Sequence, residues 1–151
     1  MCGYGAGVIW LLRHGDAEDD AADDAARRLT KKGERQSEAA GAALERLGVE
    51  LDACLSSPKV RARQTAEIAC DPLGLEVEVT DALRGGDFDP ADLAAGRGSV
   101  LLVGHEPDFS RAIQAATGAR VDLKKGGIAA LEDGVLVTLL RPAQLKAISA
   151  G

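Results

Sequence analysis

The sequence predicts an α/β fold: a three-layer sandwich with a mainly parallel central sheet, an antiparallel edge, and helices on both faces. Three observations lead there. Short apolar runs alternate along the chain with stretches of helical periodicity. The runs are unbroken rather than alternating, as in strands covered on both faces. The last two runs are separated only by Glu132-Asp133-Gly134, which reads as a hairpin turn.

In chain order, Val8–Leu12 is the first expected strand. Glu34–Leu47 follows as a helix, with Ala40, Leu44 and Leu47 on one stripe and Gly48 as its stop. Ala53–Ser56 is a second strand. Pro58–Cys70 is a helix with Ser57 as N-cap and Pro58 at its first position. Val77–Val79 is a shorter strand, and Pro90–Ala95 a short helix. Ser99–Val103 is a further strand. Asp108–Thr117 is a helix with Phe109, Ala112, Ile113 and Ala116 at helical spacing, closed by Gly118. Ile128–Leu131 and Val135–Leu140 form the hairpin.

A chain of 151 residues is expected to form one domain, residues 1–151, without a cap insertion. The apolar fraction of 46% and charged fraction of 28% are those of a globular chain. Only Tyr4, Trp10, Phe88 and Phe109 are aromatic, so the core must be aliphatic and no base-stacking platform is available. Net charge is −6, the wrong sign for a nucleic-acid binder. Cys2, Cys54 and Cys70 make neither a disulfide framework nor a CxxC zinc motif. No apolar run is long enough to span a membrane, and no signal peptide is evident. The expected location is therefore cytoplasmic.

The two histidines carry the chemistry. Each directly follows a strand: one in Arg13-His14-Gly15, the other in Gly104-His105-Glu106-Pro107. A third strand ends in Ser56-Ser57-Pro58, with Arg61 beyond it. Ligands of open α/β sheets sit beyond the carboxyl ends of the strands. Parallel neighbours would therefore gather Arg13, His14, Arg61 and His105 around one crevice. Such a cluster needs an anion, and arginine forks suit phosphate oxygens. Gly15 and Gly104 would allow close backbone approach to a ligand. Six carboxylates between Asp16 and Asp24 read as a solvated loop; without a glycine inside the run, a metal site is rejected. Lys124-Lys125 reads as a solvated turn or as a rim that steers an acidic phosphoprotein. Thr65, one helical turn after Arg61, is positioned to orient that arginine.

Four segments resemble the histidine phosphatase superfamily, which includes the phosphoglycerate mutases. They are Leu12-Arg13-His14-Gly15, Arg27 to Gly33, Ser56 to Ala66, and Val103 to Pro107. They occur in the family's order and span most of the chain. The small size resembles the SixA-like branch, the phosphohistidine phosphatases. The resemblance implies a phosphoglycerate mutase-like fold. It implies that His14 is a nucleophile forming a phosphohistidine, and that Arg13, Arg61 and His105 hold the phosphoryl oxygens. It also puts Arg27 near the pocket.

Those roles set physical requirements. His14 must be neutral, with one ring nitrogen donating to the Gly15 carbonyl and the other free. Arg13 and Arg61 would favour that neutral form, and His105 would serve as a charged donor. No metal or other cofactor is expected. The family's acidic glutamate has no counterpart in Thr80 to Asp87, which leaves Asp16, the favoured candidate, or Asp87 as the proton donor. The expected partner is a phosphorylated protein, such as a histidine-phosphotransfer domain, or a small phosphorylated substrate. The competing expectations are a phosphomonoesterase or mutase of the same superfamily, and a non-catalytic phosphate-binding module.

Overall fold

A computed structural model describes residues 7–19 and 22–151 of the chain. Asp20 of the acidic run, and Cys2 and Tyr4, lie outside the described residues. Six strands form one sheet: β1 (Ile9–Arg13), β2 (Ala53–Ser56), β3 (Val77–Val79), β4 (Val100–Gly104), β5 (Ile128–Glu132) and β6 (Val135–Leu140). Their spatial order is β3-β2-β4-β1-β5-β6. The first four are parallel, while β5 and β6 run antiparallel at one side. Register pairs Arg13 with Gly104 and Ser56 with Val103, so three carboxyl ends finish level.

Helices α1 (Lys31–Arg46), α2 (Val60–Cys70) and α5 (Pro142–Ala150) supply one layer. Ala40, Ala43 and Leu44 of α1, Ala62, Ala66 and Ala69 of α2, and Leu145 of α5 pack there against Leu12, Leu101 and Val103. The short α3 (Pro90–Ala94) and α4 (Asp108–Thr117) cover the opposite face, where Phe109 and Ile113 meet Leu11, Leu55, Val100 and Leu102. Successive residues of β1 and β4 thus feed opposite cores, as the two-residue period of a strand requires. Burial of each large aliphatic side chain contributes about 1.5–3 kcal/mol.

Alanine dominates the α1–α2 contact because the helices lie close together. A Cβ on Gly41 would collide with the Ala69 carbonyl oxygen. The hairpin turn is Asp133-Gly134, with φ of 51° and 73°; both residues are left-handed, which matches the twist of the strands it joins.

Several boundaries differ from the sequence reading. Arg13 and Gly104 end their strands rather than follow them. Helix α1 starts at Lys31, because the Thr30 side chain accepts from the Gly33 N–H and caps it. Helix α2 starts at Val60 with Lys59 as N-cap, not at Pro58; Ser57 instead accepts from the Lys59 N–H in the preceding turn. Helix α5 was not expected. Nor is β6 covered on both faces: Val135, Val137 and Leu139 are exposed on the outer side of this edge strand.

Candidate active site

The ends of β1, β2 and β4 and the first turn of α2 bring His14, Arg61, His105 and Ser57 together, all buried. The two imidazole centroids are 5.2 Å apart, their planes inclined at 55°. The His14 backbone is fixed on both sides. Its N–H donates to the Gly104 carbonyl at 3.0 Å, and its carbonyl accepts from the Gly126 N–H at 3.1 Å.

The His14 ring is fixed as well. Nδ1 lies 2.7 Å from the Gly15 carbonyl oxygen. A carbonyl can only accept, so Nδ1 carries the proton, and Nε2 of the neutral ring carries a free lone pair. Arg61 Nε donates toward that Nε2 at 3.4 Å. The His14 pKa is pulled down to about 4, first by burial. The Gly15 bond opposes this, and Arg61, Arg13 and Lys125 add to it. Desolvation, more than the arginines, keeps this imidazole neutral.

His105 differs from the expected charged donor. Burial, followed by the proximity of His14, Arg61 and Lys59, takes its pKa down to about 3. Without an anion, the ring is neutral at physiological pH. Its Nε2 meets the Ser57 hydroxyl at 2.8 Å. Its Nδ1 is buried with no hydrogen-bond partner. Arg13 Nη1 donates to the Leu123 carbonyl at 3.0 Å, while Arg13 Nε is likewise buried and unpartnered. Among the described residues these are the two buried side-chain polar atoms without a partner. Native interiors seldom leave such groups unmet, and both belong to residues at the ends of the two histidine-bearing strands.

Asp16, Arg27 and Thr65 occupy other positions. The Asp16 carboxylate accepts from the Thr30 hydroxyl at 2.8 Å and pairs with Lys125 at 3.5 Å. Those contacts lower its pKa, led by the Thr30 hydrogen bond, and favour the ionised form over a proton donor. Arg27 lies one residue back from Arg61 in space, donating to the Glu18 carbonyl at 2.7 Å and to Asp24, the partner of Arg61, at 3.1 Å. The Thr65 hydroxyl makes no hydrogen bond to the Arg61 guanidinium. It donates to the Arg61 carbonyl at 2.8 Å and accepts the Gly15 N–H at 3.1 Å.

The glycines beside the histidines serve packing within the protein. A Cβ on Gly15 would press on the backbone of Gly33, and one on Gly33 would collide with the Asp16 carbonyl. A Cβ on Gly104 would run into the Phe109 ring at 2.8 Å. The sequence reading missed Ser57 as a partner of His105 and Asp24 as a partner of Arg61, for which Nη2 lies 3.3 Å from the carboxylate. The only available signal for Asp24 was its place in the acidic run, which does not separate it from its neighbours. Among the described residues, no group of three or more His, Cys, Asp and Glu side chains is arranged to share a metal ion.

A phosphatase of three-layer α/β architecture is the class this fold and cluster define. The histidine phosphatase superfamily (branch 1) matches residues 9–94, and the chain belongs to that superfamily. It is 38% identical to an uncharacterized protein of Picosynechococcus sp. (strain PCC 7002), over 83% of this chain and 85% of that one. It is 39% identical to the phosphohistidine phosphatase SixA of Escherichia coli, over 66% of this chain and 67% of SixA. The solved structure of the protein histidine phosphatase SixA complexed with tungstate superposes with a TM-score of 0.80 at 29% identity, over 92% of this chain and 99% of that one. Within the superfamily the chain is SixA-like.

Proposed function

We propose that the protein is a metal-independent phosphohistidine phosphatase acting through a covalent intermediate on His14. The observation that carries this reading is the neutral His14 imidazole, its Nε2 lone pair facing Arg61, packed 5.2 Å from His105, whose buried Nδ1 has no partner.

In the first step the His14 Nε2 lone pair forms a bond to phosphorus, and the bond from phosphorus to the leaving nitrogen breaks with its electron pair; the substrate ring, protonated on its other nitrogen, leaves as neutral imidazole. A water then attacks the phosphohistidine, its protons go to the phosphate and to solvent, and the lone pair returns to Nε2. Arg13, Arg61 and His105 hold the equatorial oxygens, where charge concentrates during phosphoryl transfer. Their donors supply the positive potential that a divalent cation supplies in other sites. An incoming phosphoryl dianion favours protonation of His105, converting it into a charged donor as the substrate binds.

The leaving group decides the substrate class. With Asp16 held ionised by Thr30 and Lys125, the acid that follows the His14 turn is not available as a proton donor. An alkoxide leaves badly under those conditions, whereas an imidazole titrates near neutrality and leaves readily. We therefore favour a phosphohistidine on a protein partner over a phosphate ester.

The test compares turnover of a phosphorylated histidine-phosphotransfer domain, phosphoserine, 3-phosphoglycerate and an aryl phosphate, all in chelator. The expected result is the highest kcat/KM for the phosphohistidine protein, abolished by His14→Ala while tungstate binding persists. Preference for 3-phosphoglycerate or phosphoserine would overturn the specificity. Tungstate binding without turnover of any substrate would leave only a phosphate-binding module.

A further inference from the structure

Asp24 is one acid of the loop that the proposed chemistry does not use. Its side chain is 58% exposed, so packing does not account for it, yet it meets three cations. Oδ1 is 3.1 Å from Arg27 Nη1; Oδ2 is 3.3 Å from Arg61 Nη2 and 3.5 Å from Lys59 Nζ. Its backbone carbonyl also accepts from Arg61 Nη1 at 2.9 Å. Both terminal nitrogens of the Arg61 fork are therefore engaged by one residue, and Nε is left facing His14 Nε2. Arg27 secures the arrangement from behind through the Glu18 carbonyl. The three cations take the Asp24 pKa down to about 2, with the Arg27 hydrogen bond foremost.

Arg61 and Lys59 are also the cations that an oxyanion beside His14 and His105 would use. A carboxylate placed on them competes with that oxyanion and repels it at short range. Asparagine at this position would keep an acceptor but lose the charge, and alanine would lose both.

We propose that Asp24 is a positioning residue and an internal counter-anion: it holds the Arg61 fork toward His14 in the free enzyme and displaces product phosphate from Arg61 and Lys59. This rests on the reading of Arg61 as a phosphoryl ligand. Asp24 thus sets a balance in which phosphate binds less tightly than the cations alone would allow, and leaves faster.

The experiment measures inorganic phosphate affinity by calorimetry for the full chain in a His14→Ala background, with and without Asp24→Asn. Steady-state kcat and KM for the aryl phosphate are then compared in the His14 enzyme. The expected result for Asp24→Asn is tighter phosphate binding by roughly five- to tenfold, with KM and kcat both lowered. Asp24→Glu restores the charge and returns phosphate affinity toward that of the parent. Asp24→Ala binds phosphate more tightly but loses more kcat than Asp24→Asn, because the fork is no longer held. Unchanged or weaker phosphate binding in Asp24→Asn would overturn the proposal, as would unchanged kcat in both Asp24→Asn and Asp24→Ala. The calorimetric arm involves no turnover. A parent protein that binds phosphate but hydrolyses nothing would defeat the phosphatase reading while still deciding the role of Asp24.

Discussion

The Thr65 hydroxyl accepts the Gly15 N–H at 3.1 Å, joining residues fifty positions apart. The same hydroxyl donates to the Arg61 carbonyl, so one buried oxygen ties the turn of His14 to the helix of Arg61. The separation between proposed nucleophile and proposed phosphoryl ligand is thereby set by a side chain that need not touch substrate.

Replacing Thr65 with Val keeps the shape and removes this link. The Gly15 N–H is left unmet in the interior, at a cost of about 1–3 kcal/mol of stability. The expected kinetic result is a fall in kcat of about tenfold with a smaller change in KM, and partial recovery in Thr65→Ser. A Thr65→Val variant that melts earlier but retains full kcat would confine this residue to packing.

The histidine environments predict an unusual titration. His14 and His105, with pKa values of about 4 and about 3, are depressed below the ordinary 6.5. The unfolded chain therefore binds protons at a higher pH than the folded chain does. Stability is full above about 6.5 and falls as pH drops toward 4, by a few kcal/mol for the two rings together. Nuclear magnetic resonance follows this simply, because the chain has only two histidines. Neither ring is expected to titrate between pH 8 and 5 in the free protein, while tungstate is expected to move the His105 transition upward. A free-protein transition near pH 6.5 for either ring would contradict the buried, neutral pair.

Glycine positions separate packing from flexibility. Gly41→Ala forces a methyl against the Ala69 backbone, and Gly33→Ala forces one against the Asp16 carbonyl beside the His14 turn. Each is expected to destabilise by about 1–3 kcal/mol. Gly33→Ala should lower kcat as well. Gly85→Ala, with open space around its Cβ, serves as the neutral comparison. Denaturant midpoints for the three variants check the ranking, and equal midpoints would refute it.

Chelation provides a fourth check. Dialysis against a strong chelator is expected to leave turnover within about twofold of the starting rate, since Arg13, Arg61 and His105 supply the proposed charge stabilisation. Loss of activity that returns with a divalent cation would require a different electrophile.

The sequence displayed the site's skeleton more clearly than its wiring. The strands that carry His14 and His105 were legible because Val8–Leu12 and Ser99–Val103 are unbroken apolar runs ending in short glycine-bearing turns. Their adjacency follows from β4 lying between β1 and β2. Helix α5 was missed because Leu145 is its one fully buried side chain among Lys146, Ser149 and several alanines, which makes a faint stripe. Ser57 looked like a helix cap; its bond to His105 spans forty-eight residues and has no local signature. Asp24 resembled every other acid in its run until folding brought Arg61 and Lys59 to it.

Strand β4 is made after β1 and β2 yet inserts between them. During synthesis the earlier two strands cannot adopt their final spacing until residues near 105 have left the ribosome. His14 therefore emerges long before its partner imidazole, and the two-histidine cluster cannot form until β4 is in place.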